Sequence, residues 1–198
     1  MHMKAKTSAS ARPSSAASSP RGRRQRELQR NLHILSAVVR RVLEQEPVES
    51  LPDSPITPEQ LKLLRFVVLK RGAKVGEVAS GLGITAASAS LALDRLQALG
   101  YIERKKRSRD RRSVQVFATR PGSALVARVR RIVDARLAQA MGRIGVEDTK
   151  SFTELAGKVT RVLMKGQEYF GEVCMQCGVD GSPTCPIHEL YENCPYSE

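Results

Sequence analysis

The chain of 198 residues contains no tryptophan, and only 4% of its residues are aromatic. A core must therefore be built from Leu, Val, Ile and Ala, which favours helices and argues against a β-sandwich. No apolar run approaches the roughly 18 residues that a membrane-spanning helix needs. We therefore expect no membrane partner.

Familiar catalytic motifs are missing as well. The sequence has no phosphate-binding loop, no dinucleotide-binding glycine fingerprint, and neither a Ser-x-x-Lys nor a His-Glu-x-x-His motif. We therefore expect a protein that is not an enzyme.

Acidic residues are missing from residues 1–24, which are rich in Ser and Arg. This stretch also lacks the apolar segment of a secretory signal. Because such a composition buries too little apolar surface to offset its ordering entropy, residues 1–24 are predicted to form a disordered basic arm. An organellar transit peptide is the alternative.

The formal net charge is +13, above the magnitude of roughly 2–8 that is common for a small soluble domain. An excess of this size favours a polyanionic partner. Residues 104–112, RKKRSRDRR, carry seven positive charges and one negative charge, whereas residues 170–198 carry five acidic groups and neither Lys nor Arg. The two regions therefore suggest two separate functions.

Apolar residues recur every three or four positions from Arg26 onwards, which predicts an amphipathic helix that ends before Pro47. The proline-rich stretch PVESLPDSP then predicts a linker. Thr57-Pro58-Glu59-Gln60 is typical of the start of the next helix, which ends at Arg71-Gly72. The apolar stripe of the first helix consists of Leu28, Leu32, Leu35, Val39 and Val42.

Two shorter helices follow, VGEVASGLG and AASASLALDRLQALG, separated by a turn at Gly83 and capped by Thr85. In a helix-turn-helix of this kind the second helix enters the DNA major groove, although an ordinary helical hairpin is the alternative. The second helix exposes small groups near its start, which allow a close approach to base edges. These groups are Ala86, Ala87, Ser88 and Ser90, and the predicted inward-facing residues are Val75, Val78, Leu82, Ala89, Leu93 and Leu96.

A strand over residues 101–104, the basic loop KKRSRDRR and a strand over residues 113–119 come next. A hairpin with a cationic tip beside a helix-turn-helix is a wing, whose arginines can follow phosphates or enter a narrow minor groove. We expect Asp110 to orient a neighbouring guanidinium by bidentate hydrogen bonding.

Several of these motifs together resemble the MarR family of winged-helix transcriptional regulators. The motifs are the TPEQ helix start, the DRL…LGYIER junction, the DRR wing tip and the T-x-P-G sequence at Thr119 to Gly122. The resemblance covers roughly residues 25–165 and is densest over residues 57–122.

The resemblance implies a homodimer that binds a pseudo-palindromic double-stranded DNA operator, usually as a repressor. It implies that residues 85–91 lie in the major groove and that Arg109, Arg111 and Arg112 reach the backbone or the minor groove. The family often carries a basic residue at the position of Leu91, which here can instead contact a thymine methyl group. The family also often binds small aromatic acids, so a small-molecule effector is a further expected partner.

Two helices after Pro121-Gly122 carry broad apolar stripes that exceed what one small winged helix covers. We expect an intersubunit helical bundle, with packing inside one chain as the alternative. The stripes consist of Leu125, Val129, Ile132, Val133, Leu137, Met141 and Ile144, and of Phe152, Leu155, Val159, Val162, Leu163 and Tyr169.

All four cysteines lie within the acidic C-terminal stretch, at the spacing C-x2-C-x7-C-x8-C. Zinc coordination is favoured, because Cys-x2-Cys-Gly forms a tight knuckle around a tetrahedral metal. An iron–sulfur cluster is the second interpretation, since two of the cysteines precede proline. Redox-active thiols and inert thiols are the other two interpretations. The predicted ligands are Cys174, Cys177, Cys185 and Cys194, with His188 expected to be a bystander.

The expected fold is mainly α with a small β-hairpin wing, namely a winged helix-turn-helix with a helical dimerisation region. The expected function is sequence-specific regulation of transcription in the cytoplasm, with metal or redox response through the cysteines. The alternatives are a non-specific architectural nucleic-acid-binding protein and an iron–sulfur electron carrier. The predicted segments are a basic arm (1–24), an N-terminal dimerisation helix with its linker (25–56), the DNA-binding domain (57–119), dimerisation helices (120–170) and the cysteine tail (171–198).

Overall fold

The computed structural model describes residues 19–52, 56–107, 110–166, 173 and 185–187. The side chains of residues 107 and 110–113 are not included in that description. Most of the arm predicted over residues 1–24 lies outside the described residues, and so does Tyr169.

The described chain is mainly helical, with one antiparallel hairpin between its fifth and sixth α-helices. A π-helical stretch, Arg40–Gln45, follows the first helix. In chain order the elements are α1 (Pro20–Val39), α2 (Glu46–Glu49), α3 (Pro58–Lys70), α4 (Val75–Leu82), α5 (Ala86–Ala98), β1 (Ile102–Arg107), β2 (Asp110–Ala118), α6 (Arg120–Ile144) and α7 (Val146–Met164).

Helix α1 belongs to the first of two compact units, which divide between Val42 and Leu43. It begins at Pro20, earlier than the periodicity from Arg26 predicts, because the Ser19 side chain accepts a hydrogen bond from the Gly22 amide and caps the helix. Residues 20–24, predicted to be disordered, are therefore helical. The helix buries none of its residues, so its predicted apolar stripe remains exposed.

The first helix ends before Pro47, as predicted, but the start of the predicted linker forms a separate short helix, α2. Pro47 lies inside the first turn of α2, where a missing amide hydrogen costs no helical hydrogen bond. Pro47, Val48 and Leu51 are buried, so this part of the predicted linker is packed into the core instead. Residues 53–55 lie outside the described residues.

Ion pairs join α2 and the residues just before it to the neighbouring helices. Glu44 lies 2.8 Å from the Lys62 ammonium of α3, and Glu46 pairs with Arg136 of α6. Each of these groups is partly exposed, so each pair contributes little free energy by itself. Their effect is to align the segment along the two longer helices.

Three threonines determine where α3, α5 and α6 begin. The hydroxyls of Thr57, Thr85 and Thr119 accept hydrogen bonds from amides in the first turns of those helices. At α3 the predicted capping box is complete, because the Gln60 side chain also accepts a hydrogen bond from the Thr57 amide. The side-chain oxygen of the buried Gln60 thereby has a hydrogen-bond partner.

One hydrophobic core joins the helix-turn-helix, the hairpin and the first half of α6. The inward-facing residues predicted for α5 are fully buried, and Val78 of α4 is buried with them. The largest fully buried side chains of this core are Phe66, Leu61, Leu64, Leu93, Leu96, Val67, Val78, Val116 and Val129.

The hairpin is longer than predicted. Strand β1 extends to Arg107 and β2 begins at Asp110, so most of the predicted loop KKRSRDRR is paired, with a bulge between Lys106 and Arg107. The hairpin also exchanges two backbone hydrogen bonds between Ala73 and Val116, which places it against the turn before α4.

Helices α6 and α7 differ in how much of their predicted stripes they bury. The N-terminal half of α6 packs on the core through Val129, with Leu125 and Ile132 partly buried. Most of the apolar residues of α7 remain exposed, for example Leu155 at 61% and Val162 at 75%, whereas Met164 at its end is buried. The prediction of apolar surface beyond what one chain covers is thus fulfilled most clearly on α7.

The fold class predicted from the sequence, mainly α with a β-hairpin wing, is confirmed. Within the described ranges, no helix alone combines the length and apolarity needed to cross a membrane. Only the pair α4 and α5, bent by 112°, meets that criterion jointly.

Replacing Gly122 with Ala should destabilise the fold by about 1–3 kcal/mol, the usual cost of overpacking. A Cβ atom there would lie 2.1 Å from the Tyr101 carbonyl oxygen, which is backbone and cannot move aside alone. Urea unfolding measures the change. Gly142→Ala in the same helix is the matched control, because its Cβ would meet nothing within 4 Å, and it should be neutral or stabilising. Equal stabilities of the two variants would contradict this packing account.

Candidate nucleic-acid interface

The first turn of α5 presents small, exposed residues to solvent. Thr85, Ala86, Ala87 and Ser88 are all exposed, as the sequence analysis expected. The Thr85 hydroxyl accepts a hydrogen bond from the Ser88 amide at 3.1 Å and donates one to the Ser88 hydroxyl at 2.8 Å. This turn is therefore rigid as well as small, and its helix N-terminus favours anions.

The rest of α5 separates an inner from an outer face. Ala89, Leu93 and Leu96 are completely buried, which fixes the rotation of the helix about its axis. Ser90 is half-buried, so it is less accessible than the sequence suggested. Leu91 is 56% exposed, which leaves a large apolar side chain at the surface beside the small ones.

The wing residues predicted from the sequence are only partly described. Asp110, Arg111 and Arg112 lie in β2, not in a loop, and the Asp110 backbone pairs with Arg107. Their side chains and the whole of Arg109 lie outside the described parts of the chain. The DNA contacts of these four residues, and the orienting role of Asp110, stay predictions.

An ion pair that the sequence analysis missed joins α5 to the hairpin. The Arg104 guanidinium donates a hydrogen bond to the Asp94 carboxylate at 2.5 Å. The two residues lie next to a shallow groove with Gln97 and Ala98. The positions are ten residues apart, and no helix or strand periodicity links them. Only the turn of the chain at Gly100 brings them together.

The cysteine tail is described at three positions only. Cys185 is half-buried and has a free thiol, and Ile187 is buried. Pro186 lies against α7, because a Cβ atom built on Gly157 would be 3.7 Å from the Pro186 Cβ. Cys174, Cys177 and Cys194 lie outside the described residues. Among the residues that are described, no group of three His, Cys, Asp or Glu side chains is placed to hold a metal.

In a comparison with protein-family models, residues 54–113 match the model of the MarR family. The matched segment contains α3, α4, α5, β1 and the start of β2. No curated protein sequence matches the chain.

Solved structures share the fold. A MarR family protein from Bacillus stearothermophilus is 20% identical with a TM-score of 0.63, and the match covers 72% of this chain and 97% of that one. Streptococcus pneumoniae FabT, solved in complex with DNA, is 20% identical with a TM-score of 0.60 and coverages of 69% and 96%. Wild-type apo MarR from E. coli is 26% identical with a TM-score of 0.56 and coverages of 67% and 95%. The likenesses show that the chain shares the winged-helix fold of these structures.

Replacing Asp94 with Asn should loosen the hairpin without unfolding the protein. The pair is partly exposed, so global stability should fall by less than about 1 kcal/mol. The amides of β1 should nevertheless exchange hydrogen faster, because Arg104 loses its charged acceptor on α5. Hydrogen exchange monitored by mass spectrometry checks this. Asp134→Asn, which removes a 4.0 Å pair within α6, is the control and should leave β1 unchanged. Unaltered exchange in both variants would show that the pair does not position the hairpin.

Proposed function

We propose that this chain is a winged-helix transcriptional regulator of the MarR type that binds a specific double-stranded DNA operator. The observation that carries the proposal is the exposed small-residue turn of α5, joined through Asp94 and Arg104 to a hairpin rich in arginine. A basic hairpin fixed beside a helix N-terminus matches the two-point grip that winged helices use on a duplex. The activity that we propose is DNA binding and regulation of transcription in the cytoplasm, not catalysis.

Helix α5 carries the groups that we propose for base contacts in the major groove. Because the Ser88 oxygen accepts its hydrogen bond from Thr85, the Ser88 hydroxyl hydrogen remains available for a base acceptor. Ala86 and Ala87 allow a close approach, and Leu91 suits a thymine methyl group. The first-turn amides that follow the capping residue Thr85 suit a phosphate at the helix N-terminus. Ser90, being half-buried, is a secondary candidate.

The wing supplies the charge in this proposal. From the sequence we propose that the wing contacts phosphates or the minor groove through Arg109, Arg111 and Arg112. We propose that Asp110 orients one of these arginines. Phosphate contacts fix the register of the protein on the duplex, whereas base contacts supply the sequence preference.

We propose that two copies of the chain form the DNA-binding unit, because α1 and α7 each leave an apolar face uncovered. Exposed apolar surface of this kind marks an interaction site. A two-fold symmetric dimer would place two α5 helices about 34–36 Å apart, one turn of DNA. On the basis of the family resemblance we also propose that the protein represses transcription by blocking its operator. On the same basis we propose that it responds to a small-molecule effector.

We propose in addition that the cysteine tail binds a metal, with zinc favoured and an iron–sulfur cluster as the alternative. The support is the C-x2-C-x7-C-x8-C spacing of Cys174, Cys177, Cys185 and Cys194. In addition, Pro186 lies against Gly157, so this part of the tail contacts α7. A metal held there would connect thiol chemistry to the proposed dimer helices.

Replacing Ala87 with Asp should abolish operator binding while the fold is retained. A carboxylate in the first turn stabilises a helix, but beside DNA it faces phosphates, and juxtaposed like charges cost several kcal/mol. We therefore expect affinity to fall about a hundredfold or more. Fluorescence anisotropy with a duplex selected from a randomised pool measures this at fixed salt, and Gln139→Glu on α6 is the charge-matched control.

Wild-type protein should prefer the selected duplex over random DNA by roughly a thousandfold, and sedimentation should give two chains per duplex. Arg111→Ala in the same assay should reduce the salt dependence by about one unit if Arg111 meets one phosphate. Equal affinity for both duplexes would replace the regulator by an architectural DNA-binding protein.

Replacing Cys174 and Cys177 with Ser should release bound metal, because thiolates are its expected ligands. Elemental analysis and an ultraviolet–visible spectrum of anaerobically purified protein distinguish zinc, which is colourless, from an iron–sulfur cluster. Met175→Leu is a control between the two cysteines that should retain the metal. Wild-type protein without metal would contradict the metal proposal and leave the DNA proposal unaffected.

A further inference from the structure

Helix α1 carries an exposed row of arginines that the proposed function leaves unused. Arg23, Arg26 and Arg30 follow one another at spacings of three and four residues, which places them on one side of the helix. All three residues are exposed, and α1 buries none of its residues. Within the described part of the chain, no ion pair or side-chain hydrogen bond involves these three guanidinium groups. We call this surface the arginine face of α1.

The arginine face lies opposite the apolar stripe of the same helix. Leu28 follows Arg26 by two residues, and Leu32 follows Arg30 by two. Two residues turn an α-helix by about 200°, so each leucine points away from the arginine before it. A partner that covers the apolar stripe, such as the proposed second copy of the chain, therefore leaves the arginine face of this helix open. The two surfaces can be occupied at the same time.

The charge of this part of α1 works against the helix that carries it. Residues 20–30 contain five arginines and one glutamate, which gives a net charge of +4. The first turn holds no acidic residue, and neither do residues 1–24. Cations near the beginning of a helix oppose its macrodipole, so these arginines destabilise the turns that they occupy. A sequence that breaks a local rule in this way indicates a partner that compensates for it, here a polyanion.

The chemistry of the arginine face favours DNA over a membrane surface. All the cations of residues 20–30 are arginines, whose planar guanidinium presents two parallel donors to phosphate oxygens. Helices that lie on membranes commonly place Trp or Phe on their apolar side, whereas α1 contains no Trp, Phe or Tyr. The row from Arg23 to Arg30 spans about 10 Å of helix axis, a length over which one DNA strand presents about three phosphates.

We infer that the arginine face of α1 binds the phosphate backbone of duplex DNA, with Arg23, Arg26 and Arg30 each meeting one phosphate. The contact carries no sequence preference, because phosphate groups are the same at every base pair. The inference rests on the proposed function in one respect, namely that the polyanion is DNA. It requires neither an operator nor the first turn of α5.

The test compares two full-length triple variants that lose the same charge. The α1 variant combines Arg23→Gln, Arg26→Gln and Arg30→Gln, and glutamine has a helix propensity close to that of arginine. The control variant changes three exposed arginines of α6, namely Arg128→Gln, Arg131→Gln and Arg143→Gln. Fluorescence anisotropy with a duplex of scrambled sequence, repeated at several salt concentrations, gives the affinity and its salt slope.

The α1 variant should bind the scrambled duplex roughly tenfold or more weakly at low salt, with a salt slope reduced by about two to three units. The control variant should keep the wild-type slope. Hydrogen exchange gives a second readout. Amides of residues 20–30 in the wild type should exchange more slowly once the duplex is added, because phosphates relieve the repulsion along the helix, and the α1 variant should lose this protection.

Equal salt slopes for the α1 variant and the control variant would overturn the inference. So would an α1 variant that binds DNA as the control does but no longer binds vesicles of equal parts phosphatidylserine and phosphatidylcholine, because the face would then serve a membrane. Failure of the proposed function is a separate result. It would appear as a wild-type protein without operator preference, and the scrambled duplex would still measure the arginine face.

Discussion

The geometry of the molecule depends on the contact between the first turn of α6 and the backbone at the end of α5. The Thr119 hydroxyl donates to the Gly100 carbonyl at 2.7 Å, and the Thr119 amide donates to the Tyr101 carbonyl at 3.0 Å. Gly122 allows this approach, since any side chain would collide with Tyr101. Because α5, β1 and α6 meet at this point, the direction of the long helix is fixed relative to the turn proposed to read DNA.

The hairpin combines two roles because successive side chains of a strand point to opposite faces. On its inner face Val116 fills the core and Arg104 holds α5 through Asp94. On its outer face Lys105 lies 2.6 Å from the Glu103 carboxylate and 5.6 Å from the centre of the Phe117 ring. The same two strands therefore carry both the core contacts and an exposed charged surface.

Local rules predicted much of this structure, because capping and periodicity depend on neighbouring residues. The capped starts at Thr57 and Thr85 and the buried stripe of α5 follow from such rules. The Asp94–Arg104 pair could not be predicted this way, since it depends on how the chain turns between α5 and β1. A cation such as Arg71 is common at the end of a helix, so nothing in the sequence indicated its left-handed backbone conformation. The helical start of the predicted linker was missed because a proline that follows one helix also suits the first turn of another, as Pro47 does in α2.

Pro186 lies against Gly157 of α7, and its neighbour Ile187 is buried. Burying one isoleucine is worth about 1.5–3 kcal/mol relative to leaving it exposed. The half-buried Cys185 immediately precedes this anchored pair. A chemical change at its sulfur would therefore act directly on the packing of Pro186 and Ile187.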